Sequence, residues 1–119
     1  MTKRRTNPDY LNGVPELVVL ELLSRRPMYG YELVQAIQSE SGGKLQFGEG
    51  CIYPLLHKLE QRGDLASRRL NVGGRQRVVY RVTTSGHHKK TQSQAHWAQI
   101  VESVGQILQG DKHGHAGAA

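Results

Sequence analysis

Apolar positions along this chain change their spacing as it proceeds, and each change marks an element. The run that follows Pro15 up to Ser24, Glu-Leu-Val-Val-Leu-Glu-Leu-Leu-Ser, is too apolar for a surface helix and predicts a buried first helix with Pro15 at its first position. Arg25-Arg26-Pro27 ends it, because proline restricts the residue before it and cannot donate to the helix ladder. A second helix is predicted from about Gly30 to Ser41, with Leu33, Ala36 and Ile37 at helical spacing and Gly42-Gly43 as its stop. Leu45 and Phe47 then anchor a connection to a third helix. That helix starts near Gly48 or Glu49, where the acid suits the positive end of the helix dipole, and ends at Arg62-Gly63. Its Ile52, Leu55, Leu56 and Leu59 share one face, while Tyr53, His57, Lys58 and Gln61 fall on others. Pro54, about one and a half turns in, predicts an irregular or slightly kinked first turn.

The period then drops to two. Between Leu65 and Val82 two short strands flank the turn Val72-Gly73-Gly74. In the second strand Val78, Tyr80 and Val82 alternate with Arg77, Val79 and Arg81, which predicts three inward residues fastening a half-buried ribbon to the core. Thr83 or Thr84 is placed to cap a last helix running to about Gln109. This helix is polar up to Gln94 and then carries Trp97, Ile100, Val101, Val104, Ile107 and Leu108 in one stripe. A stripe so far along the chain from the first core predicts packing on another helix, most simply the same helix of a second subunit, with Trp97, Val101, Val104 and Leu108 at the interface. Folding back onto the first helix of its own chain is the alternative.

Composition narrows what such a fold does. At 119 residues the chain is long enough for one domain plus an appendage, and a hydrophobic share of 37% leaves part of it either disordered or apolar only where it meets a partner. The net charge of +6 is unevenly placed: Arg68, Arg69, Arg75, Arg77 and Arg81 occupy the hairpin with no acidic residue among them, and Lys3, Arg4 and Arg5 stand near the start. From Tyr10 to Gln61, Glu16, Glu21, Glu32, Glu40, Glu49 and Glu60 outnumber Arg25, Arg26, Lys44 and Lys58. A localised basic surface beside a neutral or acidic scaffold is the footprint of a polyanion binder, with nucleic acid as the leading partner. The single Cys51 cannot form an internal disulfide, no apolar run reaches a membrane span, and Met-Thr-Lys-Arg-Arg lacks a secretory core, which together predict a cytoplasmic protein.

The expected fold class is therefore mainly α with a two-stranded β-wing: a winged helix-turn-helix followed by a C-terminal dimerisation helix. The chain divides into a flexible basic arm at 1–9, a DNA-binding domain at 10–83, the dimerisation helix at 84–109 and a disordered tail at 110–119. Tyr53, His57 and Gln61, with Lys58 on the flank, are expected to face the major groove; Arg68, Arg75 and Arg77 are expected at phosphates, with Arg75 beside the turn in reach of a minor groove. Cys51 and His57 lie about 120° and roughly 9 Å apart on a helix, so they are poorly placed to share a metal or to act as nucleophile and base. No metal, cofactor or enzymatic activity is expected. Two other readings stay open: a metal-sensing repressor using His87, His88 or the histidines of the tail, and a protein-interaction module whose basic hairpin docks an acidic partner.

Three stretches carry a resemblance. Pro27-Met28-Tyr29-Gly30-Tyr31-Glu32-Leu33, then Ile52-Tyr53-Pro54-Leu55-Leu56-His57-Lys58-Leu59-Glu60-Gln61-Arg62-Gly63, then Gly73-Gly74-Arg75 with Tyr80-Arg81-Val82-Thr83 are similar, in order and spacing, to the PadR-like family of bacterial transcriptional regulators over about residues 14 to 86. The length and single C-terminal helix resemble its short, multidrug-responsive subfamily. The resemblance implies a homodimer whose C-terminal helices pack across the two-fold, binding palindromic operator DNA, usually as a repressor, with phenolic acids or planar cationic drugs as inducers. It also implies a pocket lined by a tryptophan of the C-terminal helix. Trp97 is at the matching place, with Ile100 and Val101 beside it, so Trp97 reads either as a dimer-core anchor or as a wall of that pocket. Two departures stand out. Gly48, Gly50 and Cys51 replace the hydroxyl and amide residues usual at the start of the third helix, leaving backbone amides for phosphate, and Arg77-Val78-Val79-Tyr80 replaces a more tyrosine-rich strand.

Overall fold

The computed structural model describes residues 13–110 as four helices and a three-stranded antiparallel sheet. The arm at 1–9 and the tail beyond Gly110 lie outside the described residues. Helix α1 spans Val14–Arg25, strand β1 Met28–Tyr29, α2 Gly30–Glu40, α3 Glu49–Gln61, β2 Leu65–Val72, β3 Arg75–Val82 and α4 Thr84–Leu108.

Helix ends follow local chemistry. Gly42 and Gly43 take left-handed backbone after α2, and Gly43 N–H donates to the Gln38 carbonyl at 2.7 Å. At the end of α3, Gly63 has φ 86°, its N–H donates to Glu60 O at 3.0 Å, and Asp64 N–H donates to Leu59 O at 2.9 Å. This paired closure satisfies carbonyls the helix leaves open and turns the chain into β2. Thr83 caps α4: its Oγ1 accepts from Gly86 N–H at 3.1 Å and donates to Gly63 O at 2.6 Å.

The core is one cluster. Val19, Leu20, Leu22 and Leu23 of α1 meet Leu33 and Ile37 of α2, Ile52, Leu56 and Leu59 of α3, and Leu65, Tyr80 and Val82 of the sheet, with Phe47 closing the α2–α3 connection. Burying each such side chain contributes about 1.5–3 kcal/mol. The face of α3 expected to be apolar is the buried one.

Two details depart from the sequence expectations. β1 joins the sheet through Met28 opposite Tyr80 and Tyr29 opposite Val79, so β3 is the central strand rather than one of two. Val78, expected inward, is 39% exposed, because the ribbon outruns the core beyond Tyr80. Pro54 stands inside α3, at whose start Gly48 O accepts from both Cys51 N–H and Ile52 N–H at 3.0 Å; the carbonyl that the missing Pro54 N–H would have bonded belongs to Gly50, which is exposed.

Gly86 is buried where α4 leaves the sheet, and a Cβ there would collide with the Asp64 carbonyl and stand 2.7 Å from Val82 Cγ1. We expect Gly86→Ala to destabilise the fold by about 1–3 kcal/mol in urea denaturation, because both neighbours are fixed by hydrogen bonding or packing. A change below about 0.5 kcal/mol would show that the α4 junction yields.

Candidate nucleic-acid interface

Helix α3 has two faces. Ile52, Leu56 and Leu59 are at most 1% exposed, and that burial turns Tyr53, His57, Lys58 and Gln61 outward together. Tyr53 is a partial exception: it is 38% exposed, and a Cβ on Gly30 would come within 2.6 Å of its ring. The ring thus rests on the bare backbone at the start of α2. Burial, with the nearby Glu49 carboxylate adding to it and Arg77 opposing, holds the Tyr53 hydroxyl above its ordinary pKa, in its neutral, donating form.

The wing has two chemically distinct faces. Residues directly opposite across an antiparallel pair point the same way. Leu65 with Val82, Ser67 with Tyr80, Arg69 with Val78 and Asn71 with Gln76 therefore share the face that packs on the core, where Ser67 Oγ donates to Glu60 of α3 at 2.7 Å. Ala66 with Arg81, Arg68 with Val79, Leu70 with Arg77 and Val72 with Arg75 share the other. Four of the five wing arginines thus line one face, and Arg69 stands apart on the α3 side.

Arg77 is less free than Arg68 and Arg75. Its guanidinium carbon stands 4.4 Å from the Tyr29 ring centroid, a cation–π stack, and its Nε is buried without a hydrogen-bond partner. Tyr29 thereby limits where the remaining guanidinium donors point. Between β3 and α3 lies a cleft of about 300 Å³ bordered by Tyr29, Tyr53, His57, Gln76 and Arg77, which joins the outward face of the helix to the wing.

A polar junction fixes helix, wing and tail helix relative to each other. Asp64, 5% exposed, accepts from Arg62 Nη2 at 2.7 Å and from Ser85 Oγ of α4 at 2.8 Å. Arg62 also donates to both carboxylate oxygens of Glu16 on α1, at 3.0 and 3.3 Å. Burial pushes the Asp64 carboxyl up, but the bonds from Arg62 and Ser85 outweigh it and leave the pKa below the usual aspartate value.

Beyond this junction Lys90 of α4 pairs with Glu21 of α1 at 3.2 Å, so the first half of α4 does fold back on its own chain. The apolar stripe stays open to solvent: Trp97, Ile100, Val101, Val104, Ile107 and Leu108 are 39 to 77% exposed. A cavity of about 820 Å³ opens between the start of α1 and α4, walled by Val14, Glu16 and Leu17 on one side and Trp97 and Ile100 on the other. Val101 does not border it. Among the described residues no group of three or more histidine, cysteine or acidic side chains comes together to hold a metal, and no helix is long and apolar enough to cross a membrane.

A three-helix core, an outward α3 and a basic two-stranded wing define a winged-helix protein. The profile of the "Transcriptional regulator PadR-like family" matches residues 19–92, and the chain belongs to that family. It is a DNA-binding transcriptional regulator rather than an enzyme. Transcriptional regulator Rv3488 of Mycobacterium tuberculosis is 38% identical over 105 residues, covering 88% of this chain and 92% of that protein. Transcriptional regulator YqjI of Escherichia coli is 36% identical over 68 residues, 57% of this chain but 32% of that longer protein. Among solved structures, a PadR family transcriptional regulator from Eggerthella lenta superposes with a TM-score of 0.74 at 32% identity, covering 85% of this chain and 87% of the other. A transcriptional regulator from Clostridium thermocellum, at 23% identity and covering 85% and 99% of the two chains, shares the fold with a TM-score of 0.79.

Sequence reasoning missed Tyr29, Arg62, Asp64 and Ser85 as positioning residues. Asp64-Leu65 directly after a glycine helix stop was the available signal, since the residue there is carried into the core by the closing turn. Because the folded-state Asp64 pKa is lowered, its contribution is fully present above about pH 4 and is lost as pH falls through the lower folded value. We expect Asp64→Asn to cost about 1–3 kcal/mol at pH 7 and to flatten the acid limb of the stability profile below pH 4, measured by urea titration at stepped pH. An acid limb identical to that of the parent would remove Asp64 from this role.

Proposed function

We propose that this protein acts as a ligand-responsive repressor that binds palindromic operator DNA as a homodimer. In this reading each α3 enters a major groove with Tyr53, His57, Lys58 and Gln61, while Arg68, Arg75 and Arg77 hold phosphates. The two half-sites lie about one helical turn, roughly 34 Å, apart.

The observation that carries the dimer is the uncovered stripe on α4. Ile107 and Leu108 are 77 and 76% exposed at the end of a well-formed 25-residue helix, and four further apolar residues continue the row. Contiguous apolar surface of this kind marks an interaction site, and the same helix from a second copy supplies a matching stripe. Trp97, Val101, Val104 and Leu108 are then interface residues. Trp97 and Ile100 serve a second purpose, since the cavity they border has the size and mixed lining of a site for a small aromatic effector. Such an effector changes operator affinity only by binding the DNA-competent and incompetent dimers unequally.

Sedimentation equilibrium tests the assembly. The parent protein is expected as a dimer; Val104→Glu is expected as a monomer with unchanged helical circular dichroism and operator affinity lower by about a hundredfold or more, since the second half-site no longer adds to the first. A parent protein that sediments as a monomer at micromolar concentration overturns the proposal. For the effector site, calorimetric titration with a panel of planar aromatic compounds is expected to find a ligand whose affinity falls about tenfold or more in Trp97→Ala. A ligand that represses or releases DNA binding with equal affinity in both proteins excludes the cavity.

A further inference from the structure

The outer end of the wing carries a pair of side chains that neither the hydrophobic core nor the phosphate-binding arginines account for. Asn71 and Gln76 face each other directly across the hairpin, both are exposed, and neither side chain has a hydrogen-bond partner among the described residues. They lie on the α3 side of the ribbon, and Gln76 borders the same cleft as Tyr53 and His57. One pair further out, Val72 and Arg75 bracket a tip made of Gly73 and Gly74 alone, with φ 60° and 82° and open space at each missing Cβ.

This geometry has consequences for what the wing can enter. A minor groove is about 6 Å wide, too narrow for a ribbon with side chains at its turn, and the two glycines remove them. An A·T pair presents only the acceptors A N3 and T O2 there, whereas a G·C pair adds the guanine N2 amino donor. Asn and Gln amides each offer two N–H donors to such acceptors; their carbonyl oxygens can accept from guanine N2, but that amino group projects from the groove floor and stands in the way of the approach to the N3 and O2 acceptors. The arginines, four of them on the opposite face, attract phosphates of any sequence.

We infer that Asn71 and Gln76 form an amide pair that reads the minor groove flanking each half-site and selects A·T over G·C there. The inference rests on the proposed placement of α3 in the adjacent major groove. It separates two functions within one hairpin: arginines set affinity, and the amide pair sets a flanking preference.

Selection of binding sites from random duplexes with the full-length protein, followed by affinity measurements, tests this. The parent protein is expected to enrich A·T pairs beside the half-sites and to bind A·T-flanked duplexes roughly five- to tenfold more tightly than G·C-flanked ones. Replacing those flanking guanines by inosine, which lacks the N2 amino group, is expected to restore the affinity of A·T flanks without any change to the protein. Asn71→Ala with Gln76→Ala is expected to reduce the preference below about twofold while keeping the half-site sequence and the salt dependence, since no charge is lost. A recovered half-site with random flanks, or inosine flanks that bind like guanine flanks, overturns the amide-pair inference and leaves the proposed function standing. Failure to enrich any half-site overturns both.

Discussion

One buried carboxylate holds the functional parts of this protein in register. Asp64 sits at the point where α3 ends, β2 begins and α4 departs, and its oxygens accept from Arg62 and Ser85 while Arg62 reaches across to Glu16 of α1. Ion pairs of this kind add little net stability over a well-packed apolar alternative, because desolvation offsets most of the attraction. Their value is geometric. Removing one partner leaves a buried charge uncompensated, so the arrangement tolerates few orientations of the four elements. The missing side chain at Gly86 serves the same end by letting α4 approach the Asp64 carbonyl.

On that fixed frame the candidate nucleic-acid face is built by exclusion. Ile52, Leu56 and Leu59 are drawn into the core, which leaves the opposite face of α3 to solvent. The wing is fastened at its base by Leu65, Tyr80 and Val82 and loses contact with the core beyond them, so its basic outer half projects beside α3. Tyr29 links the two regions, stacking on Arg77 from one side of the cleft that Tyr53 and His57 border on the other. In the proposed dimer the same rigidity would matter at larger scale: Glu16 walls the cavity and bonds Arg62 at the end of α3, so the proposed ligand, if it shifted α1 against α4, would act on α3 through a short path.

Much of this was legible from residue order. Pro15, Gly42-Gly43, Gly63 and Thr83 mark helix ends by backbone chemistry that needs no tertiary context, and the switch from helical to alternating spacing at Leu65 places the hairpin. What stayed hidden depends on partners distant in sequence. β1 is two residues long and exists only because Met28 and Tyr29 meet Tyr80 and Val79. Val78 alternates correctly yet lies past the edge of the core, which periodicity cannot reveal. Pro54 signals a missing hydrogen bond in residue order, whereas the exposure of Gly50, whose carbonyl loses that partner, comes from the folded surroundings. At the interface, the outward residues of α3 followed from helical phase; the partition of arginines and amides between wing faces required the strand register.

Two such frames, coupled through their α4 helices, are proposed to present paired α3 helices to one side of a duplex. Hydroxyl-radical footprinting on a selected operator tests it most directly. Two protected patches of equal occupancy are expected, on the same face of the DNA and centred about 10 base pairs apart, appearing together as protein is added. A single patch, or two patches that fill independently at different protein concentrations, would contradict it.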